Sequence, residues 1–198
     1  TPISRAKLGI PDDAFVVGMV GRISPQKSPD VFIRAAKLIN EQISNSVFMI
    51  VGDGEERDKI ETFAKNEGLN LIVTKWTENP YSYLNVFNVA LLLSRWEGFG
   101  LAIVEYMAAR INLVATRVDA IPMLIDDRVD GLLVDVDSPE EVCSKVLWLR
   151  NHQEEALKMK YCALQKVKEN YNINRVVDQH VKMFVDLCHK LERNDKLS

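Results

Sequence analysis

Six short apolar runs, separated by amphipathic stretches, constrain this chain more than any other feature. They are Phe15–Val20, Val47–Val51, Leu69–Val73, Phe87–Leu93, Leu113–Ala115 and Gly131–Val134, and they are continuous rather than alternating in polarity. A strand with one wet face alternates, whereas a continuous run suits a strand covered on both faces of a parallel sheet. Between the runs, Pro29–Glu41 places Val31, Phe32, Ala35, Ala36, Leu38 and Ile39 at helical spacing. Glu55–Glu67 reads as a charged helix, Gly100–Ala109 as a helix, and Pro80–Leu84 and Ile121–Ile125 as helical turns. Repeated strand–helix units predict an open, doubly wound α/β sheet of about six parallel strands.

After Val134 the character changes. Ser138-Pro139-Glu140-Glu141 reads as a helix start, with a capping serine, a first-turn proline and acidic side chains at the positive end of the dipole. Three helices are expected over about 138–150, 152–170 and 173–190, the C-terminal helical part of a single domain spanning 1–198. The tail Asn194–Ser198 is expected to fray.

The 198 residues are 47% hydrophobic and 27% charged, enough for a sizeable core. A net charge of −3 argues against a nucleic-acid partner. No apolar stretch approaches the ~18 residues of a membrane span. Cys143, Cys162 and Cys188 are far apart and without CxxC spacing, which favours reduced thiols and a cytoplasmic location. His152, His180 and His189 lie in the C-terminal helices without zinc-ligand spacing, and no metal is expected. Starting at Thr1-Pro2 without methionine, the chain is expected to be a piece of a longer protein.

In sheets of this type ligands bind where the strands end. Those ends read Gly21-Arg22-Ile23-Ser24-Pro25-Gln26-Lys27, then Gly52-Asp53-Gly54, Lys75-Trp76, Glu97-Gly98-Phe99-Gly100 and Asp119-Ala120. Arg22 and Lys27 form a cation pair suited to a diphosphate. The Gly98–Gly100 turn opens a helix whose amides and dipole favour phosphate. Glu97 and Glu105, eight positions apart, flank that turn, which suits a ligand with hydroxyl-rich groups on both sides of a phosphate. Each residue also has a plain reading. Arg22 and Lys27 serve as solvated loop cations, Glu97 as a helix cap, Glu105 as a solvated helix residue, Trp76 as a half-buried structural tryptophan. Gly52-Asp53-Gly54 lacks the third glycine of a dinucleotide fingerprint and follows the second strand, so it reads as a tight turn. Lys158, Lys160, Lys166 and Lys168 make one helix basic, a solvated face by default and a membrane-surface contact as the lesser alternative.

Taken in order, Gly21-Arg22-Ile23-Ser24-Pro25-Gln26-Lys27, Ile50-Val51-Gly52-Asp53-Gly54, Ser94-Arg95-Trp96-Glu97-Gly98-Phe99-Gly100 and Glu105 resemble the retaining group-1 (family 4) glycosyltransferases over about residues 14–190. The resemblance implies the C-terminal, Rossmann-like, donor-binding half of the type-B fold, with an N-terminal acceptor domain missing. It implies no cofactor, a UDP- or GDP-sugar donor, and transfer in bacterial cell-surface polysaccharide synthesis, in the cytoplasm with peripheral contact of the full-length protein at the inner membrane face. Arg22, Lys27 and Glu97 would be catalytic. Gly21, Gly52, Trp76, Gly98, Phe99, Gly100, Leu101 and Glu105 would bind the donor, with Glu105 on the ribose. The piece alone would be inactive in transfer. A non-catalytic nucleotide-sugar scaffold, or an epimerase or phosphorylase on the same architecture, are the alternatives. Lys75, Asn88, Arg110, Asn112 and Met123 depart from the family pattern, and Asp119-Ala120 replaces a glycine pair. An Asp119 carboxylate turned inward would repel a diphosphate.

Overall fold

The computed structural model describes residues 2–195, with side chains through Leu187. Cys188 and His189 thus lie outside the described side chains, and Lys196–Ser198 outside the described residues. Two compact units divide the chain, Thr1–Leu164 and Gln165–Ser198.

The first unit is built on six parallel strands, β1 (Phe15–Val20), β2 (Ser46–Val51), β3 (Leu71–Val73), β4 (Val89–Leu92), β5 (Asn112–Thr116) and β6 (Leu132–Val134). They lie in the order β3-β2-β1-β4-β5-β6. β1 and β2 are in register from Phe15↔Ser46 to Val20↔Val51, and β4 pairs β5 from Val89↔Asn112 to Leu92↔Ala115. The helices are α1 (Pro29–Gln42), α2 (Arg57–Asn66), α3 (Leu101–Ala108), the single turn α4 (Ile121–Leu124), α5 (Pro139–Asn151) and α6 (Gln153–Asn170), which ends in the second unit.

Both faces of the sheet are covered, as the continuous apolar runs require. Val17, Met19, Phe48, Ile50, Leu91 and Val114 pack with Val31, Phe32, Ala35 and Ile39 of α1, Val142 and Val146 of α5, and Met159 of α6. α3 packs on β4 and β5 and buries Ile103, Tyr106 and Met107. Fully burying one such aliphatic side chain contributes about 1.5–3 kcal/mol. The doubly wound sheet expected from the sequence is therefore present.

Several boundaries differ from the sequence reading. β3 starts at Leu71, not Leu69, and β4 at Val89, not Phe87. Before β4, Asn88 already leaves strand geometry: its Oδ1 accepts the Val16 N–H at 2.7 Å and an Arg5 N–H at 3.0 Å. α2 starts at Arg57, with Glu56 in the cap position rather than inside the helix. Ser138 occupies the cap of α5, but its hydroxyl makes no cap hydrogen bond. Instead Glu141 reaches back to accept the Asp135 N–H at 2.8 Å.

In the second unit, α7 runs Ile173–Asp195, past the expected end at 190. Asn172 closes its start, accepting the Asn174 N–H at 2.9 Å. No described helix is long and apolar enough to cross a membrane.

Candidate functional site

The strand order reverses between β1 and β4, so the loops leaving their carboxyl ends part to opposite sides and leave a crevice. Two backbone devices shape it. At Gly52, just past β2, a Cβ would lie 2.0 Å from the Gly21 carbonyl oxygen. Only glycine lets the first two strand-end loops touch there, so Gly52 serves loop packing besides bordering the crevice. Gly100 caps α3 at φ 87, a left-handed conformation that turns the chain abruptly into the helix.

Beyond β1, Pro25–Lys27 forms a short 3₁₀ turn, closed by Lys27 N–H to Ser24 O at 2.9 Å. The loop beyond β4 is fastened to it. The Arg95 N–H donates to Gln26 O at 2.8 Å, Gln26 Nε2 donates to Trp96 O at 3.0 Å, and an Arg95 guanidinium N–H donates to Pro25 O at 2.9 Å. The same guanidinium pairs with Asp30 at 2.8 Å and Asp137 at 2.7 Å. Burial would raise the Asp30 carboxyl, but the hydrogen bond and charge of Arg95 outweigh it and hold Asp30 below the ordinary aspartate value.

That fastening brings Lys27 against Glu97. Their side chains form a salt bridge with only 18% and 12% exposure, and the Ser94 hydroxyl donates to the same carboxylate oxygen at 3.0 Å. Ser94 is itself held by Thr116, whose hydroxyl donates to Ser94 O at 2.6 Å. Asp119, at φ 45, points its carboxylate at the loop backbone, accepting the Glu97 N–H at 2.8 Å. Its charge is thus directed to an amide, and Glu97 is an ion-pair partner rather than a helix cap.

A second part of the crevice, about 400 Å³, is lined by Gly21, Arg22, Gly52, Asp53, Trp76 and Pro80, among others. Trp76 is 73% exposed, which excludes the half-buried structural reading. Arg22 is also largely exposed, its guanidinium 3.4 Å from Glu55. It borders this opening, which does not include the Lys27–Glu97 pair in its lining. Glu105 stands in the second turn of α3, where its Oε1 accepts the Tyr81 hydroxyl at 2.9 Å, beside the Pro80 rim. That bond and the carboxylate's charge raise the Tyr81 pKa. The adjacent Tyr106 ties α3 to the end of β1, its oxygen accepting the Val20 N–H at 2.8 Å. Phe99 and Leu101 of the helix-opening turn are exposed, so the core does not account for them.

Ser94, Tyr81 and the loop-bracing role of Asp119 escaped the sequence reading. No local pattern signals the bond from the Ser94 hydroxyl to Glu97, because no helix starts at Ser94. The histidines are elsewhere: His152 stacks on Trp148 with centroids 4.7 Å apart, and His180 Nδ1 lies 2.8 Å from Val176 O.

Residues 1–166 match the family model described as glycosyl transferases group 1. The chain is 29% identical over 185 residues, 91% of its length and 48% of the relative's, to the UDP-Gal:alpha-D-GlcNAc-diphosphoundecaprenol alpha-1,3-galactosyltransferase of Escherichia coli. Among solved structures it resembles the C-terminal domain of a group 1 family glycosyl transferase (LpcC) from Francisella tularensis, with TM-score 0.76 and 26% identity. That match covers 85% of this chain and 91% of the other. It also resembles S. aureus TarM, solved as a G117R mutant with Fondaparinux, alpha-GlcNAc-glycerol and UDP. There the TM-score is 0.79 and the identity 26%, covering 88% of this chain and 36% of that one. The chain spans about half the length, or less, of the curated relatives it matches. With its sheet order, its strand-end residues and a family match over most of its length in agreement, the chain belongs to the group 1 glycosyl transferases.

Proposed function

We propose that this chain is the donor-binding part of a retaining glycosyltransferase, taking a UDP-sugar and working with an acceptor-binding domain outside these residues. The observation that carries the reading is the half-buried Lys27–Glu97 pair at the crevice, flanked by the exposed Arg22 and Trp76. Trp76 would stack on the base, Glu105 would take the ribose hydroxyls, and the turn Gly98–Leu101 would hold phosphate and sugar oxygens. Glu97 would orient the transferred sugar through its hydroxyls.

In the transfer step, the bond from the anomeric carbon to the diphosphate breaks as the acceptor oxygen bonds to that carbon on the same face. The acceptor hydroxyl's proton leaves with the departing diphosphate. Arg22 and Lys27 neutralise the charge that grows there, and preorganised charge of this kind is worth on the order of 10²–10³ in rate. Donor binding would draw Lys27 toward the phosphate and free Glu97 for the sugar. The UDP complex of TarM, at 26% identity, supports uridine over guanosine. A lipid-linked or polymeric acceptor of the cell surface is the reading that the relatives support, two of them being named for a diphosphoundecaprenol-linked GlcNAc and for poly(ribitol-phosphate).

Product analysis with the full-length protein tests the reading. A new glycosidic bond with retained configuration, lost in Lys27→Ala while the fold persists, is expected. An epimerised donor, a sugar 1-phosphate, or undiminished transfer by Lys27→Ala would overturn it.

A further inference from the structure

The Glu105 carboxylate has one hydrogen-bond partner among the described residues, the Tyr81 hydroxyl, which donates to Oε1 at 2.9 Å. No cation pairs with it there, whereas Glu55, Glu61 and Glu97 each face an arginine or lysine. Its Oε2 accepts nothing from these residues and is not a buried atom, so it stands open. A carboxylate has about four acceptor directions over its two oxygens, and one phenol leaves Oε2 whole. A phenol also holds the group without neutralising it, so its strength as a charged acceptor for neutral hydroxyls is kept.

Each partner is carried by a segment fixed independently of this bond. Tyr81 sits in the first turn of the 3₁₀ segment Pro80–Val86, anchored in the core by Leu84 and Val86. The Ser82 hydroxyl donates to Asn79 O at 2.8 Å, and Ser82 O accepts the Ile3 N–H at 2.8 Å. On α3, the residue after Glu105 is the buried Tyr106, whose oxygen accepts the Val20 N–H. Pro80, next to Tyr81, and Val20, bonded to Tyr106, both line the 400 Å³ opening beside Trp76. The bond therefore spans the rim between the loop after β3 and the turn of α3 fastened to β1. The Tyr81 ring is 55% exposed, so the core does not account for it. The bond and the charge of Glu105 raise the Tyr81 pKa, which keeps the phenol a donor at neutral pH.

We propose that Tyr81 is a positioning residue for the nucleoside sugar, holding Oε1 so that Oε2 meets the 2′-hydroxyl of the ribose. Together the two side chains make the crevice select ribonucleotide over 2′-deoxyribonucleotide donors. The inference rests on the reading that Glu105 takes the ribose hydroxyls. A free glutamate on a helix surface samples many rotamers, and ordering it opposes binding; a carboxylate already held loses less. A site built to accept a hydroxyl rejects the analogue that lacks it, because the acceptor is then left unpaired. Tyr81 touches the carboxylate and not the reacting atoms, so its effect falls on donor affinity rather than on transfer at saturating donor.

Calorimetric titration of the chain with UDP and with 2′-deoxyuridine diphosphate is the test. The parent should bind UDP about tenfold more tightly, as one hydrogen bond to a charged group implies. Tyr81→Phe keeps the exposed ring and should melt with the parent. It should weaken UDP about threefold or more while leaving the affinity for 2′-deoxyuridine diphosphate in place. Glu105→Ala should remove the preference, and adding Tyr81→Phe to it should change neither affinity further. Equal affinity of the parent for both nucleotides, or binding of neither, would overturn the ribose reading of Glu105 and this proposal with it. A preference that Glu105→Ala removes but Tyr81→Phe preserves would overturn the role of Tyr81 alone. So would a Tyr81→Phe loss that is equal for the two nucleotides, which would make Tyr81 a structural part of the rim.

Discussion

The carboxylate of Asp119 accepts the backbone N–H of Glu97 at 2.8 Å, linking the loop after β5 to the loop after β4. Glu97 in turn pairs with Lys27 after β1, so three strand ends meet at one residue. A carboxylate that looked hostile to a diphosphate is instead a brace for the loop expected to hold it.

Replacing Asp119 tests that brace. Asn retains an acceptor and tolerates the left-handed φ of 45 at this position, whereas Ala does neither. Asp119→Asn should melt within a degree or so of the parent. Asp119→Ala should lose about 1 kcal/mol, a fall of roughly 2–4 °C for a chain this size. Equal melting temperatures by calorimetry would remove the brace.

Lys27 and Glu97 should couple in a double-mutant cycle. Either Lys27→Met or Glu97→Gln alone leaves a half-buried charge without its partner, at a cost of about 2 kcal/mol. The double variant should recover part of that loss, giving a coupling on the order of 1 kcal/mol in urea denaturation. Strict additivity would mean the pair is not formed in solution.

Asp30 gives a pH signature. Its carboxyl is held below the ordinary value when folded, so its contribution is fully present above that value and is lost as pH falls through the folded value. The melting temperature of the parent should therefore drop more steeply below about pH 4 than that of Asp30→Asn. Parallel curves would show that the Asp30–Arg95 bond carries no linkage.

Gly52→Ala should be among the most damaging single changes outside the core, because its Cβ would meet the Gly21 carbonyl oxygen at 2.0 Å. Forced separation of the two loops should cost about 1–3 kcal/mol and widen the crevice. A urea midpoint equal to the parent's would contradict the close approach.

Most of the fold was legible because parallel strands buried on both faces announce themselves as unbroken apolar runs, as in β1 and β2. The errors fell where a side chain competes for the backbone. Phe87 and Asn88 continue the apolar run toward β4, yet the Asn88 amide oxygen takes the Val16 N–H and ends the strand pattern. At the candidate site, the order of strand ends put glycines, cations and carboxylates on one edge, but partnerships could not be read. Lys27 and Glu97 are 70 positions apart, and nothing local says that Arg95 fastens one loop to the other through Pro25 and Asp30. Nor does anything local announce that Arg22, expected beside Lys27 at a diphosphate, lies 3.4 Å from Glu55.

Calorimetric titration of the chain with UDP, GDP and common UDP-sugars bears most directly on the donor crevice. Saturable one-to-one binding is expected, strongest for a uridine nucleotide, weakened about tenfold, or ~1.4 kcal/mol, by Trp76→Ala and again by Lys27→Ala. Absence of heat with every nucleoside diphosphate and nucleotide-sugar, from a chain that melts cooperatively, would contradict it.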